Sequence, residues 1–388
     1  MQLSKTCRLI LLSAPALLWS CSDDNVVTDK TESEKEPAEI IIPVDFRYLT
    51  LNREGNYSGQ TPSVSYVHKN GTVFDDYYKT VNGEQVFCDP NAAFHFKDKV
   101  LLAHGSNWND NGVSILEGNS FKKVDHIDLK QNMTPYTIEW LGGDSIIVAG
   151  RYKDAELNAF IADISGKATI KRKLNIGFTV YSVKKIGDKV FMLGCRDNRN
   201  GEPVQPDLIV MDVKNIHESG FRKLKSNLHL SSRYSVPSID KNGNLWFAAT
   251  ENDERQYKLF CIDSKTETVK HAITMPVTMS TMNELAYTMS NDGKTVYLRS
   301  HKAFYTVDVD APAELDEPVY EFLRHVGLLC DLKITKEGTL LFIDQKQSPN
   351  TPSEVFEVRP DSKGWELIGT TEVGQNAKSI YVSKYEKN

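Results

Sequence analysis

Short apolar runs recur along most of the chain, and within them apolar and polar positions alternate as in half-buried β-strands. Each run leads through a tight turn rich in Gly, Asp, Asn and Lys into a second apolar run, which is the pattern of a β-hairpin. This hairpin occurs six times, at 93–105, 138–150, 183–194, 238–249, 288–298 and 333–343. A second hairpin follows each copy, with apolar runs at 113–124, 159–172, 208–213, 258–263, 304–309 and 355–358.

Two hairpins make a unit of four antiparallel strands, and the units repeat every roughly 45 to 55 residues, the size of one propeller blade. At the ends, 46–51 has the pattern of a second strand without a first, whereas 379–382 has that of a first strand without a second. We therefore predict an all-β, seven-bladed β-propeller of four-stranded antiparallel blades. It closes when the C-terminal strand pairs with the N-terminal blade, because closure removes exposed sheet edges. A β-sandwich array is the alternative, but it lacks so regular a period.

The N-terminal residues have the pattern of a signal peptide. Lys5 and Arg8 precede a short apolar run that ends at Trp19 and is too short to span a bilayer. The tetrad from Leu18 to Cys21 resembles a bacterial lipobox, which implies that Cys21 is acylated and begins the mature protein. The alternative is an ordinary secretory peptide with an incidental cysteine. We expect a signal peptide at 1–20, a lipidated, flexible, acidic tether at 21–43 and the propeller at 44–388.

The residues directly after the cysteine bear on localisation. Ser22, Asp23 and Asp24 resemble the export signal of surface lipoproteins in Gram-negative anaerobes, which implies an outer-membrane, cell-surface location. A solvated linker is the alternative. No other apolar segment is long enough to cross a bilayer, so we expect membrane attachment through the lipid only. The net charge of −6 disfavours nucleic acid as a partner.

Four cysteines remain in the expected mature chain besides Cys21. They form no CxxC pair and have no histidine at ligand spacing, so we expect no metal site. Cys195 and Cys261 lie in apolar runs and are expected to be buried thiols. The disulfide state of Cys88 and Cys330 stays open at this level, because a disulfide depends on geometry.

In a propeller, the loops that join second to third strands and the loops that join successive blades share one face, here called the upper face. In this chain those loops are long and rich in aromatic, Arg and Asn residues, and such side chains suit a flat or amphipathic ligand. The expected ligand-binding residues are Tyr57, Trp108, Tyr136, Arg151, Tyr152, Tyr181, Arg196, Arg233 and Tyr234. The alternative for several of the tyrosines is that they pack between blades.

Catalytic motifs are absent from the sequence: it contains no GxSxG, no HExxH and no phosphate-binding glycine loop. The loop carboxylates Asp110, Asp154 and Asp197 are explained as turn formers. The segment 240–244 superficially resembles a calcium loop but lacks the later glutamate, so a hairpin turn is the better interpretation. We expect no enzymatic activity and no cofactor.

The stretch 51–57 (LNREGNY), followed by 63–66 and the Val81-Asn82-Gly83 segment, resembles the opening of the YncE-like propeller family of surface lipoproteins. Arg53 departs from the family pattern, since it separates Asn52 from Glu54. The end of the chain, 372–374 and 380–382, resembles the last strand of that family. In the family's BtuG-type members, the propeller captures cobalamin and passes it to a TonB-dependent transporter. Their ligand contacts form no motif that matches here, so none is transferred.

The resemblance implies a cell-surface protein that binds a scarce nutrient, cobalamin-like or another cofactor or metal chelate, and hands it to a TonB-dependent outer-membrane receptor. The first alternative is an adhesion propeller that binds glycans or proteins. The second is a propeller hydrolase or lyase. Retention of a small ligand, binding to polysaccharide, and turnover that depends on a loop aspartate would distinguish the three.

Overall fold

The computed structural model describes 46–53, 61–86, 88–106, 111–118, 120–130, 132–152, 157–195, 206–226, 228–230, 236–251, 256–278, 285–300, 303–322, 328–345, 351–361 and 364–382. All of these residues belong to the second of the two units into which the chain divides, 39–388. The predicted signal peptide, Cys21 and the tether lie outside the described residues.

The described strands form seven antiparallel sheets, which are the blades A to G. Blade A contains β1 (Phe46–Asn52), β2 (Ser63–His68) and β3 (Val73–Phe74), and blade B contains β4 (Pro90–Phe96), β5 (Lys99–His104), β6 (Asn111–Glu117) and β7 (Lys123–Lys130). Blade C contains β8 (Met133–Gly142), β9 (Ser145–Tyr152), β10 (Ala159–Asp163) and β11 (Thr169–Leu174). Blade D contains β12 (Thr179–Ile186), β13 (Lys189–Cys195), β14 (Pro206–Asp212) and β15 (Arg222–Ser226).

Blade E contains β16 (Leu228–Leu230), β17 (Ser238–Ile239), β18 (Leu245–Glu251), β19 (Gln256–Asp263) and β20 (Thr268–Thr278). Blade F contains β21 (Leu285–Met289), β22 (Thr295–Ser300), β23 (Ala303–Asp308) and β24 (Tyr320–Glu321). Blade G contains β25 (Leu328–Ile334), β26 (Leu340–Gln345), β27 (Pro352–Asp361) and β28 (Gly364–Gln375), and β29 (Ala377–Tyr381) follows it. Blade E differs from the prediction because its innermost strand is divided into β16 and β17, which both pair with β18.

Helical structure is sparse among the described residues. The helix α1 (Tyr77–Asn82) lies between blades A and B, and its N-terminus is capped by the Asp76 carboxylate, which accepts from Lys79 N. Short 3-10 helices at Val213–Asn215 and Glu218–Gly220 belong to the connection between β14 and β15. In the described part of the chain, no helix has both the length and the apolar character that a membrane span requires.

The C-terminal strand closes the ring, as predicted. β29 pairs antiparallel with β1, with Thr50 opposite Ile380, and becomes the innermost strand of blade A. It also contacts blade G, where the buried carboxylate of Asp331 in β25 accepts from Ser379 Oγ and from Ile380 N at 2.9 Å each. The prediction of a closed, seven-bladed propeller is therefore confirmed.

The core lies between the blades. Apolar clusters join A with B, B with C, C with D, D with E and F, F with G, and G with A, so every blade packs on both neighbours. Trp246 of blade E is fully buried, and its indole donates to Asp240 Oδ2 at 2.9 Å. Asp240 Oδ1 accepts from the backbone N–H groups of Asn242 and Asn244 at 2.8 Å, so this segment is a hairpin turn, as predicted.

Lysines at the start of second strands join neighbouring blades on the face opposite the upper face, here called the lower face. Lys99 Nζ donates to Ile164 O at 2.7 Å, from blade B to blade C. Lys189 Nζ makes the equivalent bond to Ser264 O at 2.7 Å, from blade D to blade E. Each lysine follows the tight turn between a first and a second strand and reaches the turn between the third and fourth strands of the next blade. At these two junctions, lysine-to-carbonyl hydrogen bonds therefore brace the lower face.

The structure decides the state of three cysteines. Cys88, Cys261 and Cys330 are buried and are not joined in disulfides. The prediction for Cys261 is confirmed, and Cys88 and Cys330 do not form the disulfide that the sequence left open. The side chain of Cys195 lies outside the described residues.

Candidate functional site

The expected ligand-binding residues divide into described and undescribed ones. Each of the seven loops that join a second strand to a third includes residues outside the described ranges. Five of the expected residues lie outside them: Tyr57, Trp108, Arg196, Arg233 and Tyr234. For Tyr152 the strand is described but the side chain is not. Side-chain positions are described for Tyr136, Arg151 and Tyr181.

Tyr136 and Tyr181 occupy equivalent positions in neighbouring blades. In blade C, Pro135 pairs with Gly150 and Thr137 with Ala149, so Tyr136 is the extra residue of a β-bulge. In blade D, the register shift between Val180 and Ser182 makes Tyr181 the extra residue in the same way. The two rings stack with centroids 5.4 Å apart and planes inclined by 23°. Tyr136 is buried and Tyr181 half-buried, so the pair both packs between blades and presents an aromatic edge.

The same bulge recurs on the innermost strands of three further blades. It falls at Asn91 in blade B, at Lys378 in blade A, and at Cys330 and the neighbouring Asp331 in blade G. All lie near the upper end of a strand that borders the central channel. A bulge re-aims its side chain, and bulges are common beside functional sites. We call these equivalent residues the bulge ring: Lys378, Asn91, Tyr136, Tyr181 and Cys330.

Polar side chains connect the bulge ring between blades G and A. Lys378 Nζ hydrogen-bonds Gln345 Oε1 and lies 3.7 Å from Cys330 Sγ. The Gln345 side-chain amide in turn donates to Asn376 Oδ1. Lys378 and Gln345 are both half-buried. The Lys378 ammonium and the side-chain amides of Gln345 and Asn376 therefore lie next to one another at the upper mouth of the channel.

The polar network continues from blade A into blade B through Arg53. Asn376 Nδ2 donates to Arg53 O at 3.0 Å, and Arg53 Nη2 donates to Asn91 Oδ1 at 3.0 Å. The same nitrogen is 3.0 Å from Asp89 Oδ2. The Asn91 amide donates onward to Gly105 O at 2.9 Å. Arg53, which interrupts the family-like opening of the chain, is thus fixed at the site by four polar contacts with its neighbours.

The Cys330 thiol of the bulge ring is buried. Burial raises the pKa of the Cys330 thiol to about 11, although the nearby Lys378 acts in the opposite direction. The thiol is therefore protonated at neutral pH and is a poor nucleophile. Among the described residues, no group of three His, Cys, Asp or Glu side chains is arranged to hold a metal ion. What remains is an aromatic pair on blades C and D and a cationic, amide-rich arc on blades G, A and B.

Arg151 lies in blade C on the strand next to Tyr136. It pairs with Thr134 near the upper end of β9 and is half-exposed. Three members of the ring, Asn91, Cys330 and Lys378, were missed by sequence reasoning, because they lie in strands rather than in long loops. For the bulges at Tyr136 and Tyr181 the sequence carries a signal, because Gly150 and Gly194 lie opposite them near the upper end of the second strand. A Cβ at these positions would lie only 1.9 Å from Thr134 O and 2.0 Å from Thr179 O.

No protein-family model matches the chain, and no curated protein sequence matches it. Solved structures are similar. A quinonprotein alcohol dehydrogenase-like protein from Bacteroides thetaiotaomicron is 13% identical with a TM-score of 0.63, over 87% of this chain and 78% of that one. A putative 6-phosphogluconolactonase from Bacteroides uniformis is 12% identical with a TM-score of 0.61, over 87% of this chain and 100% of that one. A Lactobacillus plantarum protein is 11% identical with a TM-score of 0.60, over 88% and 100%. These likenesses show the propeller fold alone.

Proposed function

We propose that the protein is a lipid-anchored, cell-surface binding propeller of the outer membrane. It captures a scarce nutrient, cobalamin-like or another cofactor or metal chelate, and hands it to a TonB-dependent outer-membrane transporter. The bulge ring carries this proposal. Five innermost strands break their register at one height, and closing a propeller does not require that.

The composition of the ring favours an amphipathic ligand. The stacked pair of Tyr136 and Tyr181 offers an aromatic edge for an apolar or flat group. Across the channel mouth, Lys378 and Arg53 supply cationic donors to carboxylate, phosphate or amide oxygens. A large cofactor with a flat ring system and polar substituents combines both features.

The direction of the strands shows on which face the described chain begins. β1 is the second strand of its blade and runs from the lower to the upper face, so Phe46 enters the ring at the lower face. The first described strand therefore begins on the face opposite the bulge ring. Under this proposal the face that carries the bulge ring is the one that meets the ligand and the transporter.

Ligand binding is tested with the purified protein and cyanocobalamin, which is detected by its own absorbance. Truncating a buried aromatic anchor typically costs about 2 kcal/mol, so Tyr181→Ala and Trp108→Ala are each expected to weaken binding about thirtyfold. Asp188→Ala is the control, because Asp188 is exposed in a lower-face turn. Equal affinities of all three variants and the parent protein would place the site elsewhere.

Other outcomes identify the alternatives. Binding to mucin or polysaccharide without any small ligand would assign the protein to adhesion. Turnover of a substrate that is lost in Asp110→Ala, Asp154→Ala or Asp197→Ala would make it an enzyme. The anchor is tested separately. The Cys21→Ala variant is expected to be absent from the membrane fraction while keeping its fold. Mass spectrometry that finds Cys21 unmodified in the parent protein would contradict acylation.

A further inference from the structure

Positive charge is concentrated on two neighbouring blades of this acidic protein. Residues 167–225 contain 13 Lys and Arg against 6 Asp and Glu, whereas the rest of the chain contains 33 against 46. This segment comprises the outer strand of blade C and all of blade D. A local excess of one sign that opposes the charge of the whole chain creates a field that attracts the opposite charge.

Part of this basic segment braces the fold and part is exposed. Lys184, Lys189 and Lys225 form ion pairs with glutamates at 3.4, 3.0 and 3.0 Å. Six other basic residues are exposed on the outer edges of blades C and D: Lys167, Lys171, Arg172, Lys173, Lys214 and Lys223. Of these, only Lys171 lies within ion-pair distance of a described carboxylate, at 3.6 Å from Asp163. The exposed charges are therefore largely available to a partner.

A groove of about 440 Å³ lies among these charges, where blade D meets the outer strand of blade C. It is lined by Arg172, Lys173, Leu174, His217 and Ser219. Arg172 is held in place because its Nη1 donates to Ile216 O at 2.6 Å, from blade C to the 3-10 connection of blade D. Ser219 Oγ lies 2.7 Å from Nδ1 of His217. Guanidinium, ammonium, imidazole and hydroxyl groups thus converge, and together they suit an oxyanion.

We propose that this groove binds an acidic polysaccharide through its carboxylate, sulfate or phosphate groups, at a site separate from the bulge ring. Lys171, Arg172 and Lys173 are exposed on β11, the edge strand of blade C, so positive charge extends from the groove along the edge of the sheet, which suits a linear polyanion. The exposed large hydrophobic residues are Phe74, Val124, Val236, Val269 and Val319, and none lies on blades C or D. The absence of exposed apolar side chains there, among the described residues, disfavours a lipid surface, since interfacial binding combines basic with apolar residues. The groove lining also offers no Phe, Tyr or Trp on which nucleic-acid bases stack.

The test compares dextran sulfate with neutral dextran of the same length, by affinity electrophoresis of the chain from Ser22 onward, which contains every described strand. The parent protein is expected to be retarded by dextran sulfate but not by dextran, and added salt weakens the effect. Arg172→Gln combined with Lys173→Gln is expected to lower the affinity about tenfold or more, because each charged hydrogen bond contributes strongly. Lys173→Gln alone keeps the bond of Arg172 to Ile216 and gives a smaller loss in a protein with an intact blade contact.

Lys265→Gln combined with Lys270→Gln is the matched control, since it removes the same charge from exposed positions on blade E. Equal losses in both double variants would mean that only net charge matters, and this would overturn the groove. Equal retardation by dextran and dextran sulfate would overturn it as well. A third outcome would reassign the surface to lipid. In that case the parent protein binds vesicles of phosphatidylcholine with phosphatidylglycerol, the Arg172 and Lys173 double variant does not, and dextran sulfate retards neither protein. Cyanocobalamin binding is expected to be unchanged in every variant, which separates this site from the proposed function.

Discussion

His104 and His126 form a stacked pair inside blade B. Their ring centroids are 5.4 Å apart, and His104 Nε2 lies 3.1 Å from Ser114 Oγ. Burial lowers the pKa of His104 to about 3, and the neighbouring His126 and Lys123 act in the same direction. Burial also lowers the pKa of His126. The His104 imidazole is therefore neutral in the folded protein at pH values where a histidine of an unfolded chain is protonated.

This pair predicts a loss of stability in mild acid. Below about pH 6.5 the unfolded chain binds a proton at His104 that the folded protein does not, so the free energy of unfolding falls as pH falls. One such group contributes a slope of about 1.4 kcal/mol per pH unit below that pH. His104→Gln is expected to flatten the profile by this slope in denaturant titrations between pH 7 and 5. An unchanged slope relative to the parent protein would contradict the assignment.

The environment of a single residue was predicted correctly where the residue type and its sequence neighbours indicate burial. Cys261 was expected in the core because it lies in an apolar run, and it is buried. The environments of Cys330 and Lys378 were not predictable in the same way. They meet at 3.7 Å because two strands 48 residues apart in sequence become neighbours only when the ring closes.

Strands and turns were the best-predicted level. Alternation and turn composition predicted the hairpins because each strand has one face toward each neighbouring blade. The lower-face turns contain glycines with positive φ, such as Gly187 at 57° and Gly338 at 83°. The bulges were not predicted, since one extra residue in a strand hardly changes its polarity pattern. The divided innermost strand of blade E was missed because β16 and β17 have only three and two residues.

The glycines opposite the bulges give an element-level prediction. Gly194→Ala places a Cβ 2.0 Å from Thr179 O and 2.5 Å from the Phe178 ring, so the bulge at Tyr181 must shift. We expect a destabilisation of about 1–3 kcal/mol in denaturant titrations, the usual cost of overpacking. Gly166→Ala is the control, because nothing lies within 4 Å of its Cβ, and it is expected to be neutral or slightly stabilising. Equal stability of the two variants would show that the bulge tolerates the added methyl group.

At the scale of the whole molecule, the closed ring followed from the six repeats together with the complementary strands at the two ends of the chain. The candidate site followed only in part, because its upper-face loops have no repeat pattern and its bulge ring depends on contacts between blades. The sequence placed Tyr136 and Tyr181 on one face, but their stacking arises from equivalent bulges in neighbouring blades. The proposed binding site therefore combines equivalent bulges, which the repeated blades create, with side chains that differ from one blade to the next.

Closure of the ring depends on β29. Deleting the chain from Gln375 onward removes β29, which leaves β1 as an unpaired inner edge and takes away the Ser379 and Ile380 donors of the buried Asp331 carboxylate. Because each blade packs on both neighbours, opening one junction weakens the whole ring, and we expect a large fall in the thermal unfolding midpoint or loss of the cooperative transition. Ser379→Ala is a milder variant that removes one hydrogen bond to a charged group, with an expected cost of about 1.5–3 kcal/mol. Deletion from Ser383 onward keeps β29 and is expected to unfold like the parent protein. A protein truncated at Gln375 that unfolds at the parent's temperature would show that the seven blades hold together without their C-terminal strand.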